Sequence, residues 1–210
     1  MTWLQSWTVA RALAHRDLVR HFNSPLGYLI LTSFVVLGAV AAFWPARFFL
    51  NNRANLSQLN AVFPYVLGLF VPAMTMGVWA EERRQRTDEL LLTLPAREWE
   101  VVAGKYLATL GLYTTAVGLS ASHVVVLVLL GNPDPGITIA NYVGFWISGA
   151  ALIPLGMLAS MLHANTTIAF ILGSGFTALP IVAPDFAGMV GGYGGRRGRQ
   201  VLLEDRRHQG

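Results

Sequence analysis

The sequence predicts an all-α fold: a polytopic helical membrane protein, with an N-terminal interfacial elbow helix followed by five spans. Three observations carry that prediction. Of 210 residues, 54% are hydrophobic and only 12% are charged, whereas a soluble domain carries about a quarter. Apolar runs near the roughly 20 residues needed to cross a hydrocarbon core recur along the chain. Most of the charge is gathered into the N-terminal segment, residues 80–105 and the stretch after residue 190. Cysteine is absent, which excludes disulfides, thiolate metal sites and cysteine nucleophiles. The basic balance rests on arginine, with Lys105 the single lysine, and its distribution speaks to membrane topology more than to nucleic acid. No cleavable signal peptide is evident, because residues 1–24 are helical in pattern and polar-flanked.

Residues 3–22, "WLQSWTVARALAHRDLVRHF", form the elbow helix. Trp3, Leu4, Trp7, Ala14, Leu18 and Phe22 share a stripe, with Arg16, Asp17 and Arg20 opposite and Arg11 and His21 beside it. Such a helix can lie in the membrane interface or pack on the protein's own loops. "FNSPLGY" then turns the corner, with Ser24 as the cap of the next helix and Pro25 at its first position. Spans follow at about 26–44, 61–79, 106–130, 141–162 and 166–184. Pro64 and Pro72 are expected to kink or loosen the second. A tight "GNPDPG" turn separates the third from the fourth, and "HAN" alone separates the fourth from the fifth. Tyr28, Trp44, Trp79, Tyr106, Tyr142 and Trp146 cluster near span ends as an aromatic belt would.

Lysine and arginine number three in the N-terminal segment, two in 46–60, five in 81–105 and none in 131–140. That asymmetry places the N-terminus and the 80–105 cassette in the cytoplasm. The cassette's eleven charges would cost about 25 kcal/mol or more in lipid. The tail 190–210, "VGGYGGRRGRQVLLEDRRHQG", breaks the pattern: five spans from an inside start put its five arginines outside. A truncated or frame-shifted end is the expectation there, with a short disordered tail as the alternative.

Several chemistries find no support. "VVAGK" at 101–105 has no earlier glycine at the phosphate-loop spacing, and Tyr106 stands where Ser or Thr would hold magnesium. No zinc-protease or serine-hydrolase motif occurs, so the chain is not expected to be an enzyme or to hold a cofactor or metal. The five expected spans contain no carboxylate, with Asp134 and Asp185 at their edges, which weakens an ion-coupled carrier. His123 in span three bonds a neighbouring helix or lines a path. Met74 and Met76 are read as gap fillers rather than soft-metal ligands. "SGA", "GSG" and the Gly156/Ser160 spacing of "GMLAS" point to close helix packing.

The cassette "AEERRQRTDELLLTLPAREWEVVAGK", residues 80–105, reads as two short helices with a proline between them. Thr87 caps the first, whose opening turn carries Asp88 and Glu89. Leu90, Leu91 and Leu94 form an apolar face that Pro95 ends, and Glu98 begins a helix that runs into span three. An apolar knob in a charged loop must be buried, either on the elbow helix or in a partner's groove.

Here the chain resembles a known family. "HFNSPLGYLI" at 21–30, "VPAMTMGVWAEERRQRTDELLLTLPAREWEVVAGK" at 71–105 and "ALIPLGMLASML" at 151–162 are similar to the membrane permease subunit of type-two ATP-binding-cassette (ABC) exporters. The nearest branch in pattern is that of gliding-motility and nitrous-oxide-reductase-maturation permeases. Two departures stand out: Arg86 where the family has glycine, and Gly77 where it often has a basic residue. The resemblance implies an ATPase-coupling loop carried by Glu81, Glu82, Thr87, Glu89, Leu90, Leu91 and Pro95. It implies a cytoplasmic ABC ATPase as partner, a second permease copy, and residence in the lipid bilayer of a bacterial inner (plasma) membrane. It implies six spans, the sixth missing here, and the division 1–24 elbow, 25–189 permease domain, 190–210 tail. A non-transporting membrane anchor that recruits a partner through the same loop is the alternative.

Overall fold

The computed structural model describes residues 3–43, 57–86, 97–130 and 133–184. All regular structure among them is helical. The helices are α1 (Trp3–Phe22), α2 (Pro25–Phe43), α3 (Ser57–Thr75), α4 (Gly77–Arg84), α5 (Glu98–Ser120), α6 (Ser122–Leu130), α7 (Pro135–Leu162) and α8 (Thr166–Pro184). Among the described residues, five stretches are long and apolar enough to cross a membrane: Pro25–Phe43, Leu59–Arg84, Glu98–Leu129, Pro135–Leu162 and Thr166–Pro184. The protein is thus a multi-pass membrane protein. Its expected tail, 190–210, and Trp44 lie outside the described residues.

Local chemistry sets most helix starts. Leu26 N donates to Ser24 Oγ at 3.3 Å, so Ser24 caps α2 with Pro25 in the first turn as expected. Asp134 Oδ1 accepts from Gly136 N at 2.8 Å, which starts α7 at Pro135, six residues before the expected span. "GNPDPG" is therefore in part a helix start, since Pro135 supplies a helical φ at no hydrogen-bond cost. Asn165 caps α8 by accepting from Thr167 N at 2.9 Å.

Two helical stretches, each with a break in it, outrun by most the spans expected for them. Leu59–Arg84 has 26 residues and Glu98–Leu129 has 32, or about 39 and 48 Å of helix against a hydrocarbon core of about 30 Å. The surplus carries Glu81, Glu82, Glu98 and Glu100. The expected spans 61–79 and 106–130 hold no carboxylate, as read from the sequence, and these four sit on the helical stretches that extend them.

The core is aromatic. Phe34 meets Phe63, Phe70 and Tyr113 edge-on at centroid distances of 6.2, 5.2 and 6.3 Å, and Phe63 stacks on Phe145 at 3.7 Å. Small residues admit these groups. A Cβ on Gly149 would fall on the Tyr113 ring, and one on Gly156 would fall on Thr75 Oγ1.

Prolines and helix breaks free backbone groups that hydrocarbon cannot satisfy, and side chains from neighbouring helices take them up. Pro72 cannot donate to Gly68 O, and Thr177 Oγ1 of α8 lies 3.3 Å from that carbonyl. Pro154 likewise frees Ala150 O, to which Tyr106 Oη donates at 3.3 Å. At the α5–α6 break, Tyr142 Oη donates to Ser120 O at 2.7 Å. Tyr106 and Tyr142 were expected in an interfacial belt. Their hydroxyls are instead spent between helices, while Tyr28, 58% exposed, fits the belt. His123 takes the bridging role, with Nε2 3.1 Å from Val35 O and its ring against Gly38 and Phe43.

Candidate functional site

The charged end of the bundle is where α1, α4 and the start of α5 meet. α1 lies along α5 because glycine lets it approach. A Cβ on Gly104 would stand 2.9 Å from both Ala10 O and Leu13 Cβ, and one on Gly111 would stand 3.2 Å from Leu18 Cδ1. The buried face of α1 is thus Ala10, Leu13 and Asp17, with Ala14 and Leu18 partly buried. Trp7, on the expected apolar stripe, is 50% exposed and meets Trp99 edge-on. Asp17, expected on the polar side, is buried. The spacing 10, 13, 17 is itself helical, but a carboxylate on such a face reads from sequence as an error in the stripe.

Asp17 is buried because it has partners. Arg16 Nη2 lies 2.8 Å from Asp17 Oδ1 and 3.6 Å from Glu82 Oε1. Lys105 Nζ lies 2.7 Å from Glu82 Oε1 and 3.7 Å from Asp17 Oδ2. The ammonium also donates to Val78 O at 2.9 Å and stands 4.8 Å from the centre of the Trp79 ring. Two carboxylates and two cations therefore balance, and three helices are joined through one lysine. Removing that lysine alone leaves two buried carboxylates short of a cation, so Lys105→Met is expected to destabilise the fold by about 3–5 kcal/mol.

Of the residues expected in the coupling loop, Glu81 and Glu82 lie on α4, helical rather than in a loop. Glu82 faces inward to Lys105, whereas Glu81 faces outward and accepts from Arg84 Nη2 at 2.8 Å and Gln85 Nε2 at 2.6 Å. Thr87, Glu89, Leu90, Leu91 and Pro95 lie outside the described residues. Arg86, which closes α4, stands at φ 55, a left-handed backbone that favours glycine. On the far side of the segment, Glu100 Oε2 accepts from Arg97 N at 3.1 Å and opens α5. Glu100 is fully buried, and its Oε1 has no hydrogen-bond partner among the described residues.

α4 is also fastened to α7. The break at Met76 leaves the first N–H groups of α4 without acceptors, and Met76 has no side chain to cap them. Ser160 of α7 supplies the cap: its Oγ accepts from Trp79 N and Ala80 N, both at 3.1 Å, and donates to Met76 O at 2.9 Å. Sequence reasoning gave Ser160 only a small-residue packing role and missed Asp17, Lys105 and Glu100. One signal was available for Lys105, which is the sole lysine in a chain otherwise supplied with arginine.

Two cavities flank these joints. One of about 360 Å³ opens at the charged end, between Arg20, Ile30, Met74, Glu82, Lys105 and Thr166. The other, of about 580 Å³, lies toward the opposite ends of α3 and α7, where Asn60 Nδ2 donates to Asn141 Oδ1 at 3.1 Å. Among the described residues its walls carry no charge; Phe63, Phe145, Ser148 and Ile181 are among them.

A family model described as "ABC-2 family transporter protein" matches residues 46–191, more than half of the chain. No curated protein matches, and no solved structure does.

Proposed function

The chain belongs to the ABC-2 family of transporter proteins, and from that membership we propose that it is the permease subunit of an ATP-driven exporter, served by a separate ATPase. The observation that supports this most is the setting of segment 87–96. It carries Leu90, Leu91 and Leu94, and it lies between two helices, α4 and α5, that the buried pair Glu82–Lys105 ties together. A docking knob is useful for transmitting force only when its supports are stiff.

In this reading Thr87 and Glu89 start a coupling helix, Leu90 and Leu91 form its docking face and Pro95 ends it. Glu81 and Glu82 belong to the helix leading in. ATP binding on two ATPase subunits would draw the segments of two permease copies together and rock the spans so that substrate moves outward. Residues 1–24 seat the chain in the inner leaflet, and 25–189 form the permease domain. The arginine distribution supports a cytoplasmic N-terminus, and the sequence pattern supports a bacterial inner membrane and the gliding-motility and nitrous-oxide-reductase-maturation branch. Leu91→Glu tests the reading: it should insert normally yet lose co-purification with the ATPase and transport-linked ATP hydrolysis. Unchanged co-purification and hydrolysis in that variant would remove the coupling assignment.

A further inference from the structure

α4 leads into segment 87–96, α5 leads out of it, and one ammonium group ties both to α1. Lys105 is 3% exposed, and its Nζ reaches Glu82 at 2.7 Å, Val78 O at 2.9 Å and Asp17 at 3.7 Å. All three acceptors belong to helices other than its own. A lysine at the end of a span ordinarily extends its ammonium outward to water. This one turns inward and loses hydration. Stability alone does not call for such a set, because apolar residues of the same volume commonly serve as well or better. What ions and hydrogen bonds add is direction: they are satisfied at one relative position of the three helices and at no neighbouring one. Gly104 lets α1 lie close against α5, where a Cβ would stand 2.9 Å from Ala10 O and Leu13 Cβ, and Arg16 closes the set from outside, its side chain 52% exposed.

We propose that Lys105 is a positioning residue that makes α1 and both supports of segment 87–96 one rigid joint. A displacement imposed on that segment then passes through α4 and its Ser160 bonds into α7, rather than being absorbed at the helix ends. The joint follows from geometry alone, whereas its use in coupling rests on the exporter reading.

The cysteine-free chain allows a direct test with pairs of spin labels in lipid nanodiscs. Ala12 on α1, Arg83 on α4 and Val102 on α5 are all exposed, so A12C/R83C and R83C/V102C report the two halves of the joint. Each pair should give one narrow distance in the parent chain. Asp17→Asn keeps the Lys105–Glu82 pair, so the α1–α4 distance should lose its single narrow peak while the α4–α5 distance keeps it. The variant D17N/E82Q/K105M, which leaves only Arg16 of the set charged, should broaden both. Narrow, unshifted distances in Asp17→Asn overturn the joint, even if the triple variant does not fold.

The coupling part is read in liposomes containing the chain and its ATPase subunit. Asp17→Asn should lower stimulated kcat about tenfold with the KM for ATP unchanged, because nucleotide binds on the other chain, and Asp17→Glu should restore it. Broadened distances with parental kcat overturn the coupling role. A parent chain that recruits no ATPase overturns the exporter reading and leaves the joint to be decided by the distances.

Discussion

At Arg86 the backbone adopts φ 55, where a Cβ crowds the following carbonyl at a cost of about 1–2 kcal/mol. The sequence pattern had already marked this position, because related permeases place glycine there. Arg86→Gly is expected to raise the unfolding temperature in detergent, by relief of about 1 kcal/mol net of the added chain entropy. Ser160 works in the opposite sense. Its hydroxyl serves two N–H groups and one carbonyl of the α3–α4 break, so Ser160→Ala should cost about 1–2 kcal/mol. Ser160→Thr retains the hydroxyl but adds a methyl at a fully buried position, and only a partial rescue is expected in the same melt. The role of Ser160 was not legible from sequence, where a serine four residues after a glycine denotes only a small side chain.

Among the helices, start signals and apolar runs were legible because they depend on neighbours in the chain. Ser24–Pro25 and the three-residue "HAN" turn lie where the sequence places them. The buried face of α1 was not legible, since it is set by two glycines on α5 some 90 residues away. Pro72 was read as a helix disturbance and Pro154 was not, and for neither could the sequence show that Thr177 and Tyr106 answer them. Close helix approach gives a paired prediction. A Cβ at Gly149 meets the Tyr113 ring, whereas one at Gly118 meets nothing within 4 Å. Gly149→Ala should therefore destabilise by about 1–3 kcal/mol. Gly118→Ala should be neutral or slightly stabilising, by up to about 1 kcal/mol. Equal melting temperatures for the two variants would contradict the packing of α5 on α7.

For the whole molecule, the arginine distribution predicts that α1 and segment 87–96 share the cytoplasmic side and that the 131–134 turn faces outward. With no native cysteine to interfere, a membrane-impermeant maleimide applied to intact cells should label Asn132→Cys and spare Arg11→Cys and Arg83→Cys. The reverse pattern would invert the topology. The sequence by itself determined that the chain crosses a membrane repeatedly, how many long apolar helices the described residues hold, and which charged, leucine-bearing segment stands out between them. Hydropathy, capping and charge bias are properties of short windows, and a bilayer imposes them directly. Only the tertiary structure decided that Asp17, Glu82 and Lys105 meet, and that a serine on α7 caps a helix 80 positions earlier. Those outcomes depend on which helix faces which. A buried charge is tolerable only where a partner stands within a few ångströms, and that distance is set by packing rather than by the order of residues.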